Sequence, residues 1–163
     1  MEITCRLATK EDQDFLWEML YQAVYVAPGE AAPSREIVRL PELAKYVQDW
    51  GNRNDLGMIA EDENGMPLGA AWLRLFKGEK RGYGYVADDI PEVSVAVLPE
   101  YRGQGIGARL LEELLRMARA RWRGVSLSVQ EQNPAARLYL RLGFVEVNRQ
   151  GDSLTMLLKN KPG

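Results

Sequence analysis

Hydrophobic and polar positions alternate weakly over residues 2–7, which predicts a short first strand. The period then changes. Phe15, Leu16, Met19 and Leu20 recur at helical spacing behind Thr9, a capping residue, so a helix is predicted over roughly 10–24. "VAPGEAAPS" (26–34) is a loop, and Ser34 is placed to cap a second helix reaching about Trp50. Strands are predicted at 57–61 and 68–76 around "EDENG", where Asn64-Gly65 supplies the positive φ angles of a tight turn. "KGEKRGYGY" is too rich in glycine and charge to be anything but a loop.

The second half repeats a strand–helix rhythm. Strands are predicted at 92–98 and 125–130, with a helix between them over roughly 105–121. Asn133 caps a further helix with Pro134 at its first position, and Gly143 ends it. Strands at 144–149 and 153–158 close the chain around Gly151-Asp152. The order is β-α-α-β-β-β-α-β-α-β-β. It predicts a single α+β domain over 1–163, with a mixed, mostly antiparallel sheet and one parallel pair around the helix at 105–121.

Composition narrows the chemistry. The 163 residues contain no histidine, which removes imidazole-based nucleophilic catalysis and imidazole zinc sites, and no metal is expected. Acid–base work then falls to carboxylates, tyrosine, lysine, a terminus or water. A single cysteine, Cys5, forms no internal disulfide and reads as a packed core thiol. With no signal-peptide pattern and no long apolar run, the expected location is the cytoplasm, away from membranes.

Net charge is −2, which does not favour nonspecific nucleic-acid binding. Its distribution is uneven: residues 1–92 hold 10 Lys and Arg against 17 Asp and Glu, and residues 93–163 hold 11 against 6. The basic half contains "RGQGIGA" (102–108), a glycine turn between a strand and a leucine-rich helix. Gly103, Gly105 and Gly107, with Gln104, Ile106 and Ala108 between and after them, let a diphosphate approach the backbone. Arg102 adds a cation. "GQGIGA" formally satisfies the dinucleotide fingerprint, and Glu131 lies where a ribose-binding acid would sit. Against that reading, "LPEY" and Arg102 separate the turn from its strand. Some ninety residues precede it, and too little chain follows for a second nucleotide-binding half.

Read from Arg102, the turn has the form [RQ]-x-x-G-x-[GA] and follows "SVAVLPEY". With "VSLSV" and "NPAARLYLRLGF" (133–144) in order behind it, it closely resembles the GNAT superfamily of acyl-CoA-dependent N-acyltransferases. The close resemblance covers roughly 92–147; residues 1–60 match only in pattern.

The resemblance implies an N-acetyltransferase that takes acetyl-CoA as donor and a primary amine as acceptor, by direct attack in a ternary complex. It implies donor contacts from Val95, Ala96 and Val97, from residues 102–108 and from Asn133, whose cap role is compatible with binding. It makes Tyr139 the acid for the leaving thiolate. Glu92 becomes the base, in a position where the family often carries a glutamate acting through water, with Asp88 and Asp89 as substitutes. The first two helices would wall the acceptor, with Tyr21, Tyr25, Glu30, Trp72 and Arg74 nearby, and the acidic first half suits a cationic amine. Dimers are common in the family, and the apolar strands at 144–158 offer a surface for a homodimer. A CoA-binding sensor or interaction module without turnover remains the alternative.

Overall fold

In the computed structural model, which describes residues 1–160, seven strands join one sheet. They are β1 (Thr4–Leu7), β2 (Leu56–Glu61), β3 (Pro67–Arg74), β4 (Glu92–Val97), β5 (Gly124–Gln130), β6 (Val145–Gln150) and β7 (Ser153–Lys159). Their spatial order is β1-β2-β3-β4-β5-β7-β6. Every neighbouring pair is antiparallel except β4 and β5, which run parallel. Four α-helices accompany them: α1 (Gln13–Ala23), α2 (Pro41–Ala44), α3 (Ile106–Ala118) and α4 (Ala135–Leu142). The element order and the mixed, mostly antiparallel sheet are those the sequence predicts, with α3 as the crossover between the parallel strands.

Alternation along the strands divides the core in two. On one face Val93, Val125, Leu127 and Val129 pack under α3, whose Leu110, Leu111 and Leu114 are fully buried, and under Tyr139 of α4. On the other face Trp72 and Ala96 pack under Leu16, Met19 and Leu20 of α1 and under Tyr46, Val47 and Trp50. Cys5 is half-buried against the first cluster, and desolvation raises its thiol pKa. No helix among the described residues is long and apolar enough to cross a membrane. Strand β6, at the sheet edge, is exposed along its length and presents Val145 and Val147.

Three local expectations are corrected. The second helix is not continuous to Trp50. A 3-10 turn spans Arg35–Arg39, and Pro41 forces Leu40 out of the helical region (φ −64°, ψ 141°) before the four-residue α2. In the β2–β3 turn only Gly65 takes a positive φ; Asn64 does not. Asp62 stabilises that turn instead, its Oδ1 accepting from Asn64 N at 2.8 Å and Met66 N at 2.9 Å. Thr9 caps a 3-10 turn (Lys10–Asp12) that precedes α1, in a reciprocal arrangement with Asp12.

The irregular segment after α2 is fixed by one buried ion pair. Arg74, at the end of β3, donates from Nε to Asp55 Oδ1 at 3.1 Å, and its other nitrogens donate to the carbonyls of Lys45, Gln48 and Asp49. Trp72 Nε1 donates to Tyr46 O at 2.9 Å. Both side chains named as acceptor-site candidates on β3 are thus buried framework that holds residues 45–55 in place. Removing one partner of such a pair leaves a charge stranded. Asp55→Ala should lower the unfolding free energy by about 3 kcal/mol in urea titration, and replacing Arg74 and Asp55 together with Met and Leu should recover most of it.

Candidate active site

The parallel strands begin together and then part. Only Glu92 and Ser126 stand in register, joined by Ser126 N donating to Pro91 O at 3.0 Å. Leu98 N donates to Leu68 O on the other side, and N–H and C=O groups alternate direction along a strand. The odd residues of β4 therefore aim their backbone groups at β5 and the even residues at β3. Val95 and Val97 point into the gap that opens beyond Glu92. Ala96, expected to share this role, is directed instead at Ala70 of β3.

Gly103 and Gly105, at the far end of β4, adopt φ +78° and +82°, a region L side chains rarely occupy. A Cβ on either would meet no protein atom within 4 Å; it would stand instead in the open space before α3. The first-turn N–H groups of α3 have no intrahelical partners. A recess of about 260 Å³ opens on this turn, walled by Val97 and Tyr101 on one side and by Leu138 and Arg141 of α4 on the other. Free N–H groups, a helix N-terminus and a flanking cation fit a diphosphate.

Arg102 also lines the recess, but its Nε donates to Val97 O at 3.1 Å and Nη2 reaches Gln22 Oε1 at 3.1 Å. It ties the turn to the end of α1. The cation that sequence reasoning missed is Arg141, because an arginine on an amphipathic helix ordinarily marks a solvated face. Gln104 is exposed, and Asn133 Oδ1 accepts from Ala135 N at 3.0 Å, capping α4 as expected. Glu131 is exposed and pairs with Arg149.

Glu92 lies at the apex of the gap, 4 % exposed, on the face occupied by α1. Its Oε2 accepts from Tyr46 Oη at 2.5 Å and its Oε1 from Gly84 N at 3.1 Å. The Tyr46 hydroxyl in turn accepts from Tyr83 N at 2.8 Å, and Phe76 meets the Tyr46 ring edge-on. Gly82 and Gly84 make this approach possible. A Cβ on Gly82 would collide with Glu92 Oε1, and one on Gly84 with the backbone of Leu127 and Ser128. Burial pushes the Glu92 carboxyl up to about 7, against the lowering effects of Tyr46, Gly84 and the nearby Lys45. Arg74, its register partner on β3, is turned to Asp55. Burial and the neighbouring carboxylate raise the Tyr46 hydroxyl far above its ordinary value.

Asp88 and Asp89 do not stand in for Glu92: both are exposed, Asp88 bonded to Tyr85 and Asp89 to Arg123. Tyr139 is buried against Phe144, and desolvation pushes its hydroxyl up to about 12. It belongs to the α3 face, whereas Glu92 belongs to the α1 face. The two lie on opposite sides of the sheet. Tyr25 Oη reaches Gln132 O at 3.3 Å, bridging the chain after α1 to the chain after β5. Tyr21 instead bonds Pro33 O within its own loop.

Known proteins are similar to this chain in sequence and in fold. The family model described as an acetyltransferase (GNAT) domain matches residues 53–146. A 5-NmdU N-acetyltransferase of Pseudomonas phage PaMx11 is 31% identical over 118 residues, 68% of this chain and 79% of that one. An uncharacterized N-acetyltransferase of Archaeoglobus fulgidus is 31% identical over 145 residues, 85% of this chain and 88% of that one. Among solved structures, a GNAT superfamily phosphinothricin acetyltransferase of Sinorhizobium meliloti, in complex with AcCoA, superposes with a TM-score of 0.66 at 23% identity, covering 98% of this chain and 89% of that one. The chain belongs to the GNAT family of acetyltransferases.

Proposed function

We propose that residues 1–163 act as one cytoplasmic N-acetyltransferase domain that moves an acetyl group from acetyl-CoA to a primary amine in a ternary complex. The observation that carries this reading is the placement of Glu92 and Tyr139 on opposite faces of the sheet, with a gap of unpaired backbone between them. The two curated relatives are named N-acetyltransferases, which supports nitrogen as the acceptor atom.

The glycine turn and Arg141 hold the donor's diphosphate, and the Val95 backbone groups and the Val97 N–H bond its amide arm as an added strand would. The donor supplies an activated acyl carbon. An alkylamine has a pKa of about 10 and arrives protonated. Glu92, as carboxylate, takes one proton from the ammonium, and the freed nitrogen attacks the acyl carbon. As the C–N bond forms and the C–S bond breaks, Tyr139 gives its proton to the sulfur. The second proton lost from nitrogen balances that donation. A donor N–H in the opened part of β4 meets the developing oxyanion.

An open cleft of about 1000 Å³ between residues 41–55 and 74–80 lies at the Glu92 end of β4. Its wall carries Glu42, Asp49 and Glu79 beside Lys45, Arg53, Lys77 and Lys80, so the acidity of the first half of the chain is not concentrated there.

Calorimetric titration should show acetyl-CoA binding to the wild type and none to Gly105→Glu, with no NADH signal. NADH binding in place of acetyl-CoA would return the turn to the dinucleotide reading. With an amine in saturating excess, kcat/KM for the donor should rise with pH through about 7 as Glu92 ionises. Glu92→Gln should remove that limb and slow turnover about 100-fold or more. Tyr139→Phe should lower kcat about 10- to 100-fold and leave the limb in place; acetyl-CoA binding with no effect of either substitution would favour a sensor.

A further inference from the structure

Ser126 has a side-chain oxygen that the rest of the fold does not use. It is 0 % exposed, and its Oγ is the buried side-chain N or O atom without a hydrogen-bond partner among the described residues. An orphaned buried hydroxyl is destabilising and calls for an explanation.

Its position supplies one. Ser126 is the register partner of Glu92 across the parallel pair, and register partners project to the same face. Val125, Leu127 and Val129 face α3, so Ser126 points to the side that holds the Glu92 carboxylate. The loop carrying Gly84 lies over it, pressed on the β5 backbone at Leu127 and Ser128. Each carboxylate oxygen receives one donor and keeps a lone pair for another. Neighbouring strands stand about 4.8 Å apart, and no hydrogen bond joins the two side chains directly; a water between them would satisfy both.

We infer that Ser126 is a positioning residue whose hydroxyl holds the water through which Glu92 takes the proton of the acceptor amine. The inference rests on the proposed role of Glu92 as base. The ammonium N–H bond breaks and its proton joins the water, while a proton of that water passes to a Glu92 oxygen. The water is regenerated, the carboxylate becomes a carboxylic acid, and the amine is left neutral. Tyr46 and Gly84 each donate to one oxygen of the carboxylate, so its remaining lone pairs are aimed by fixed donors.

Two measurements test this. A high-resolution crystal structure of the full chain should show a water within hydrogen-bond distance of both Ser126 Oγ and a Glu92 oxygen; its absence overturns the inference whatever the activity. Ser126→Ala and Glu92→Gln are then compared with acetyl-CoA and two acceptors, ethylamine, protonated at neutral pH, and hydroxylamine, already unprotonated there. Ser126→Ala should lower the ratio of ethylamine to hydroxylamine kcat/KM about tenfold. An unchanged ratio, with equal losses or none, overturns the inference, because a packing defect would slow both acceptors alike. If Glu92→Gln leaves the ratio unchanged, the base assignment itself fails. A ratio that falls in Glu92→Gln but holds in Ser126→Ala removes Ser126 alone.

Discussion

The parting of β4 from β5 after a single register pair is the constraint on which the site depends. A strand inside a sheet has its N–H and C=O groups claimed on both sides. Beyond the Glu92–Ser126 pair the odd residues of β4 have lost their partner strand, which leaves the backbone groups of Val95 and the N–H of Val97 facing the gap, while the Val97 carbonyl is taken by Arg102. Such groups favour an extended chain bearing amides. The turn at 102–105 closes one end of the slot, and the Gly84 loop covers the other.

Around the apex, the fold keeps a carboxylate buried by giving each oxygen one donor. The donors come from distant parts of the chain: Tyr46 from the segment after α2, Gly84 from the β3–β4 loop. Neither element has regular structure, so other interactions must fix them. The Arg74–Asp55 pair and the Trp72–Tyr46 bond fix the first, and glycine-permitted contact with β5 fixes the second. The polar core around β3 is in this sense a support for one tyrosine hydroxyl.

What was legible in the sequence was what is local. The strand–turn–helix at 92–118 and the cap, tyrosine and glycine of α4 are short stretches whose spacing carries their geometry. Val95 and Val97 border the gap and residues 102–108 form the turn, while Asn133 caps α4 and Tyr139 packs on Phe144; Ala96 turns to β3 because backbone direction depends on which strand is paired, and spacing alone does not report that. The helix expected from the Ser34 cap to reach Trp50 fails at Pro41, a breaker within that span. Tyr46, Ser126 and the two glycines of "RGYGY" left no readable signal. Each acquires its role by approaching a residue far along the chain, and in isolation each is an ordinary core aromatic, strand serine or loop glycine.

Glu92 also enters the thermodynamics of the whole chain. Its carboxyl rises from an ordinary 4.5 to about 7 on folding because burial penalises the charge. Between those values the folded chain binds more protons than the unfolded one, so stability declines as pH climbs and the decline is complete only above about 7. A shift of this size corresponds to about 3 kcal/mol, a sizeable part of what holds a domain together. The contribution of Glu92 is therefore least favourable where its carboxylate is ready to accept a proton, and the apex of the slot is strained electrostatically whenever it is competent.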